Sequence, residues 1–93
     1  MATLADDEIR AALRPGWELR PGPEIEKTFE LPSFPDAIAF VGRIAEQAEA
    51  ADHHPDLDIR YRKVRVALTT HDQGGVTQKD LDMADAVETA LEG

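Results

Sequence analysis

The chain contains 93 residues, of which 19 are acidic and 10 are basic, so its formal net charge is −9. Surface scaling predicts that a chain of this size keeps roughly 5,300 of about 14,800 Å² exposed on folding, which leaves enough buried surface for one modest core. We therefore expect a single domain over residues 1–93. Cysteine is absent, which excludes disulfides, thiolate nucleophiles and thiolate metal sites, and histidine must carry any such chemistry.

The charge and the hydropathy pattern also restrict the partners and the compartment. A net charge of −9 repels phosphate backbones and anionic lipid, so we expect neither a nucleic-acid partner nor a membrane partner. The sequence shows no secretory signal and no apolar run long enough to span a bilayer. These features predict a cytoplasmic protein.

The first third of the chain predicts a short helix followed by a hairpin. Apolar residues at helical spacing predict a helix over 4–13 with Thr3 as its N-cap. Turn residues at 20–23 then separate two strands, which we expect over 17–19 and 25–31. Trp17 is expected in the core or in an interface.

The middle of the chain predicts a long helix and a second pair of strands. Ser33 with Pro35 and Asp36 is a strong helix start, and Pro55 requires the helix to end before it. The apolar alternation then changes phase, which predicts strands over 57–61 and 64–70 joined at Arg62 and the residue after it. A bulged single strand is the alternative.

The last segment predicts a third helix, opened by a capping box of Thr77 and Asp80 and running to the C-terminus. The predicted order is therefore α-β-β-α-β-β-α, an α+β fold with a four-stranded antiparallel sheet and three helices mainly on one face. Because such a sheet leaves free edges, we expect a homo-oligomer formed through an edge strand or the open sheet face.

Three histidines, His53, His54 and His71, are the strongest candidates for chemistry. The first two end the second predicted helix and the third follows the last strand, so the fold can bring them together. Imidazole titrates near pH 6.5, so such a group can supply both an acid and a base. If the helix continues, Glu49 shares a face with His53 and can orient its ring. A helix-capping role for the first two histidines is an equal alternative.

Other interpretations of single residues stay open. Glu49, His53 and His71 together would suit zinc or ferrous iron, but dispersed ligand sets arise by chance, and we rank this below acid–base chemistry. Asp80 has a sufficient role as the second member of the capping box. Tyr61 is interpreted as a half-buried strand aromatic.

Beyond these single residues, a longer pattern is specific. It runs Glu49, three residues, His53-His54-Pro55, five residues, Tyr61, nine residues, His71, eight residues, Asp80. This pattern resembles the signature of the pterin-4a-carbinolamine dehydratases, and segments 13–17, 25–29 and 70–75 are also similar to that family. The resemblance covers nearly the whole chain, and a match in so many parts is hard to obtain by chance.

The resemblance implies an activity and a set of roles. The family dehydrates 4a-hydroxytetrahydropterin to quinonoid dihydropterin in tetrahydrobiopterin recycling, without a metal or an organic cofactor. By motif position, His53 and His71 are implied as the acid–base pair, with His54 binding or polarising the pterin and Glu49 orienting a histidine. The residues implied to contact the pterin are Asp52, His53, His54, Thr69, Thr70 and His71.

The resemblance also implies a second class of function. Some relatives act as non-catalytic binding modules, either as dimerisation cofactors of a transcription factor or as assembly factors. Those relatives often lose parts of the histidine set, so its retention here favours the enzyme. A homodimer or a homotetramer is expected in either case.

Overall fold

The computed structural model describes residues 2–93, whose elements follow the predicted order. In chain order these elements are α1 (Asp6–Ala12), β1 (Glu18–Arg20), β2 (Glu24–Glu30), α2 (Phe34–Ala51), β3 (Asp56–Arg60), β4 (Lys63–Leu68), a 3₁₀ turn (His71–Gln73) and α3 (Gln78–Leu91). The α+β fold class is confirmed. Among residues 2–93, no helix is long and apolar enough to cross a membrane.

The four strands form one antiparallel sheet in the order β1-β2-β4-β3, so β1 and β3 are its edges. Ile25 and Phe29 of β2 lie opposite Leu68 and Val64 of β4, and all four side chains are buried. Because side chains alternate between the two faces of a strand, these residues define the face that the helices cover. The exposed surface of 5440 Å² agrees with the value expected from chain length.

One core joins the sheet to all three helices. The ring of Phe29 meets Trp17 and Phe40 edge to face, with centroid distances of 6.1 and 5.0 Å. Trp17 is therefore a core residue, as expected. Helix α2 starts as predicted, because the Ser33 hydroxyl accepts the Asp36 N–H at 3.2 Å. The buried residues of α2, among them Phe40 and Ile44, hold the helix against the core and so position its C-terminal end.

The N-terminal boundaries differ from the predicted ones by one or two residues. Helix α1 has Ala5 and not Thr3 at its N-cap, and the Ala5 N–H donates to the Glu8 carboxylate at 3.0 Å. The reason is tertiary, since the Leu4 N–H donates to the Val76 carbonyl at 2.8 Å and ties this residue to the segment before α3. Strands β1 and β2 are also shifted by one residue from the predicted ranges.

The hairpin between β3 and β4 is confirmed, but its turn lies one residue earlier than predicted. Arg60 pairs with Lys63, which leaves Tyr61 and Arg62 as the two turn residues. Tyr61 adopts φ of 54°, in the left-handed region, and 72% of its surface is exposed. The interpretation of Tyr61 as a half-buried strand residue is therefore wrong, because a tight turn turns its side chain out of the sheet.

Strand β4 ends at Leu68, earlier than the predicted residue 70. Thr70 instead forms an isolated bridge with Gly75, and its N–H donates to the Gly75 carbonyl at 2.9 Å. The loop closed by this bridge contains the 3₁₀ turn that begins with His71. Helix α3 then starts at the predicted Thr77 cap.

Candidate active site

The candidate histidines of α2 follow a sharp helix end. Asp52 takes up a left-handed conformation with φ of 50°, and its N–H donates to the Ala48 and Glu49 carbonyls. The His53 N–H then donates to the Ala48 carbonyl at 3.1 Å. Because the chain leaves the helix here, the two histidines lie in the short connection to β3 and do not continue a helical face.

His53 points into the protein. Its side chain is 11% exposed, and Nε2 lies 2.5 Å from Oδ1 of Asp80, which is fully buried. The other carboxylate oxygen of Asp80 accepts the Thr77 N–H at 2.9 Å and the Thr70 hydroxyl at 2.8 Å. We call these four residues, His53, Thr70, Thr77 and Asp80, the Asp80 network.

The network makes the earlier interpretation of Asp80 incomplete. Its capping-box role is confirmed, but the same carboxylate also reaches His53 and Thr70. A carboxylate offers about four acceptor sites and a capping box uses one of them. The sequence indicated a second role for Asp80 in two ways only: a carboxylate has acceptor sites that the capping box does not use, and Asp80 is part of the family-like pattern.

His54 points to solvent. Its Nε2 lies 2.5 Å from Oε2 of Glu49, and the two side chains are 57% and 78% exposed. Glu49 therefore contacts a histidine, but this histidine is His54 and not His53 as helical spacing suggested. The left-handed Asp52 explains the difference, because it removes His53 from the face of α2 that carries Glu49.

His71 opens the 3₁₀ turn and is exposed. With Thr69 and Asp56 it lines a cavity of about 260 Å³ at the end of the sheet. The Thr69 hydroxyl donates to the Pro23 carbonyl at 2.8 Å, whereas Thr70 is 4% exposed and its hydroxyl belongs to the Asp80 network. The side chain of Thr70 is thus engaged inside the protein, and its backbone continues directly into His71.

A second cavity lies between α2 and α3 and measures about 350 Å³. His53 lines it together with Ala50, Lys79 and Met83. The structure thus links His53 to the segment that carries His71 by two hydrogen bonds, through Asp80 and Thr70. His53 lines the larger of these two cavities and His71 lines the smaller one. Asp52 stands next to His53 at the helix end.

The alternative metal site is not assembled by the part of the chain that the structure describes. No group of three or more His, Cys, Asp or Glu side chains within residues 2–93 is placed to hold a metal ion. The proposed ligands separate, since Glu49 contacts His54 and His53 contacts Asp80.

Fold and site together define a small α+β protein with a histidine-rich corner where a helix end meets a strand end. Residues 2–90 match the family model described as pterin 4 alpha carbinolamine dehydratase. A Roseiflexus sp. protein named "Putative pterin-4-alpha-carbinolamine dehydratase" is 60% identical over 98% of this chain and 100% of its own length. A protein of the same name from Chloroflexus aggregans is 55% identical over 98% of this chain and 99% of its own. The chain therefore belongs to the pterin-4a-carbinolamine dehydratase family.

Two known structures share the fold. A Brucella melitensis protein described as a transcriptional coactivator/pterin dehydratase matches with a TM-score of 0.90 and 35% identity, over 96% of this chain and 98% of that one. A pterin dehydratase-like protein described as a RuBisCO assembly factor in the alpha-carboxysome matches with a TM-score of 0.66. At 20% identity over 81% of this chain and 86% of that one, the second likeness concerns the fold alone.

Proposed function

We propose that this protein is a lyase that dehydrates 4a-hydroxytetrahydropterin to quinonoid dihydropterin, in the recycling of tetrahydrobiopterin. The observation that carries this proposal is the linkage of His53 to the His71 segment by the Asp80 network, with the His54 and Glu49 pair beside it. Family membership supports the same reaction class. The protein acts as a single cytoplasmic domain, without a metal or organic cofactor, a nucleic acid or a membrane.

The reaction needs two proton transfers and no redox step. The C4a–O bond breaks as the hydroxyl takes up a proton and leaves as water, and a ring nitrogen loses its proton as a C=N bond forms. Positioned imidazoles suit both transfers because neutral and protonated rings coexist near pH 7. The number of protons on the enzyme is unchanged over one turnover.

The proposed roles follow the positions of the residues in the family-like pattern. His53 and His71 are the acid–base pair by their places in the family-like pattern, and the Asp80 network links His53 to the segment that carries His71. His54 binds or polarises the pterin, and Glu49 orients the His54 ring. The 2.5 Å contact between Glu49 and His54 supports this role. Asp52, Thr69 and Thr70 contact the pterin through side chains or backbone. The Thr70 hydroxyl already belongs to the Asp80 network, and the Thr70 N–H donates to the Gly75 carbonyl.

A stopped-flow assay of 4a-hydroxytetrahydropterin dehydration tests the proposal. We expect the wild type to accelerate the step, and His53→Ala and His71→Ala each to lose about 10²-fold or more, as expected for a general acid or base. Asp85→Asn is the control, because Asp85 lies on an exposed part of α3, where it pairs with Arg14. This variant should retain full activity. Far-UV circular dichroism establishes that each variant is folded. A wild type no faster than buffer would overturn the proposal.

We also propose that the functional unit is a homo-oligomer that forms at the edge strand β3. Six large apolar side chains among residues 2–93 are exposed, and five of them lie on β3, in its turn or on the first half of α2. These five, the β3 edge patch, are Phe34, Ile38, Leu57, Ile59 and Tyr61. Free edges and apolar patches are both features of surfaces that pair.

The charges along β3 favour a second copy as the occupant of the β3 edge patch. In an antiparallel pairing centred on Ile59, Asp58 lies opposite the partner's Arg60, and the reverse pair forms as well. A pairing centred on Asp58 would also form Asp56 to Arg60 pairs, but it would oppose the two Asp58 carboxylates, which is unfavourable. Charge complementarity thus selects a symmetric dimer with one register.

Light scattering coupled to size-exclusion chromatography measures this association. Ile59→Glu should shift the protein towards the monomer, whereas Leu91→Glu should leave its mass unchanged, although both residues are 37% exposed. A monomeric wild type, or equal behaviour of the two variants, would overturn the proposed dimer. Retention of the complete histidine set supports the enzyme over a purely non-catalytic binding module.

A further inference from the structure

The carboxylate of Asp80 is buried where helix capping alone does not require burial. Among residues 2–93 it is the one acidic residue that is buried, with 0% exposure. A carboxylate is costly to bury unless hydrogen bonds replace its water. Capping of α3 uses the Thr77 N–H on one oxygen only, so the burial of Asp80 must be supported by its other partners.

The directions of the hydrogen bonds in the Asp80 network can be assigned. A carboxylate only accepts hydrogen bonds, so the Thr70 hydroxyl donates its single hydrogen to Oδ2 of Asp80. The 2.8 Å contact between the Thr70 and Thr77 hydroxyls must then be donated by Thr77. Oδ1 of Asp80 faces Nε2 of His53 at 2.5 Å. By the same rule, Nε2 carries a hydrogen.

We propose that Asp80 is a positioning residue for the site. It holds His53 with Nε2 protonated, which leaves Nδ1 as the nitrogen that exchanges protons, and through Thr70 it fixes the start of the turn that carries His71. A buried carboxylate behind an imidazole selects the tautomer and the ring orientation in other acid–base sites. The catalytic part of this inference rests on the proposed dehydratase function, whereas the tautomer of His53 does not.

Long-range ¹H–¹⁵N NMR of the full-length protein reads the tautomer of His53 directly. We expect Nε2 of His53 to be protonated in the wild type on both sides of neutral pH. In Asp80→Asn the amide oxygen can replace Oδ2 towards Thr70 and Thr77, so its NH₂ group faces His53. Nε2 must then accept, and the ring hydrogen moves to Nδ1. The wild-type spectrum tests the proposal even if this variant does not fold.

A matched variant separates positioning from helix capping. Thr77→Ala removes a capping hydroxyl of α3 but leaves the Asp80 to His53 contact, so His53 should keep its wild-type tautomer. An unprotonated Nε2 in the wild type, or an unchanged tautomer in folded Asp80→Asn, would overturn the proposal.

Kinetics provide the second readout. In Asp80→Asn, kcat for dehydration should fall by about 10²-fold, towards the loss of a general acid or base, with KM little changed. Ser33→Ala, which weakens the cap of α2 and is remote from the histidines in sequence, should retain the wild-type kcat. An unchanged kcat in folded Asp80→Asn counts against positioning. If the wild type shows no dehydration at all, the proposed function fails, and the NMR spectra still decide the role of Asp80.

Discussion

Removal of the charge of Glu88 should destabilise the fold, because this side chain is the acceptor of a half-buried polar cluster between α3 and the sheet. Its Oε2 accepts from Lys27 Nζ at 2.7 Å and from Trp17 Nε1 at 2.9 Å. The side chains of Glu88 and Lys27 are only 15% and 20% exposed. Lys27 Nζ also donates to the Pro15 carbonyl at 3.0 Å and lies 4.7 Å from the centre of the Phe29 ring.

The expected magnitude lies between two limits. Breaking a fully buried ion pair costs about 3–5 kcal/mol, whereas an exposed pair contributes about 0–1 kcal/mol. Glu88→Gln keeps an acceptor for Trp17 but loses the charge that faces Lys27, so we expect a loss of about 2 kcal/mol in the free energy of unfolding. For a domain of this size, this corresponds to a decrease in Tm of about 8–16 °C.

Urea denaturation followed by far-UV circular dichroism measures this loss at one fixed protein concentration, because association also stabilises the folded state. Tryptophan fluorescence is unsuitable, since Glu88 contacts the indole of Trp17 directly. The control is Asp85→Asn on the same helix, whose 3.4 Å pair with Arg14 is 61% and 49% exposed. That variant should change stability by less than about 0.5 kcal/mol. Equal losses in the two variants would refute the reasoning from burial.

Three further outcomes are expected. Burial raises the pKa of Glu88, but hydrogen bonds from Lys27 and Trp17 and nearby positive charges outweigh burial and lower this pKa below 4.5 in the folded state. The contribution of Glu88 to stability is therefore present above pH 4.5 and is lost as the pH falls through the folded pKa. The stability difference between wild type and Glu88→Gln should therefore shrink in urea titrations below that pH. Tyr61→Gly should be about 1 kcal/mol more stable than Tyr61→Ala in the same titrations, because only glycine adopts φ of 54° without strain. Ser33→Ala should lose about 1 kcal/mol through its helix cap.

Features encoded by neighbouring residues could be predicted from the sequence. Helix α2 is set by Ser33 and Asp36, and helix α3 by Thr77 and Asp80, so both starts agree with the structure. The start of α1 could not be predicted, because the Leu4 N–H binds a carbonyl 72 residues later in the chain. The position of the second hairpin turn was predicted one residue too late, because neither Tyr61 nor Arg62 is a typical turn residue. Strand pairing holds Tyr61 in a left-handed conformation.

The candidate site could be predicted as a set of residues but not as a set of contacts. Spacing identified His53, His54 and His71, and a contact between Glu49 and a histidine. The assignment of that contact failed because one backbone conformation, the left-handed Asp52, decides which ring stays beside α2. Residues other than glycine are uncommon in the left-handed region, and although Asp is enriched there, sequence alone rarely indicates one.

The end of α2 gives two neighbouring, chemically identical side chains different environments. His53 turns inwards to a buried carboxylate and is 11% exposed, whereas His54 turns outwards to an exposed carboxylate and is 57% exposed. A ring held by a buried acceptor has a fixed orientation, and a ring in solvent can adjust to a ligand. The His-His dipeptide thus supplies one oriented ring and one adaptable ring.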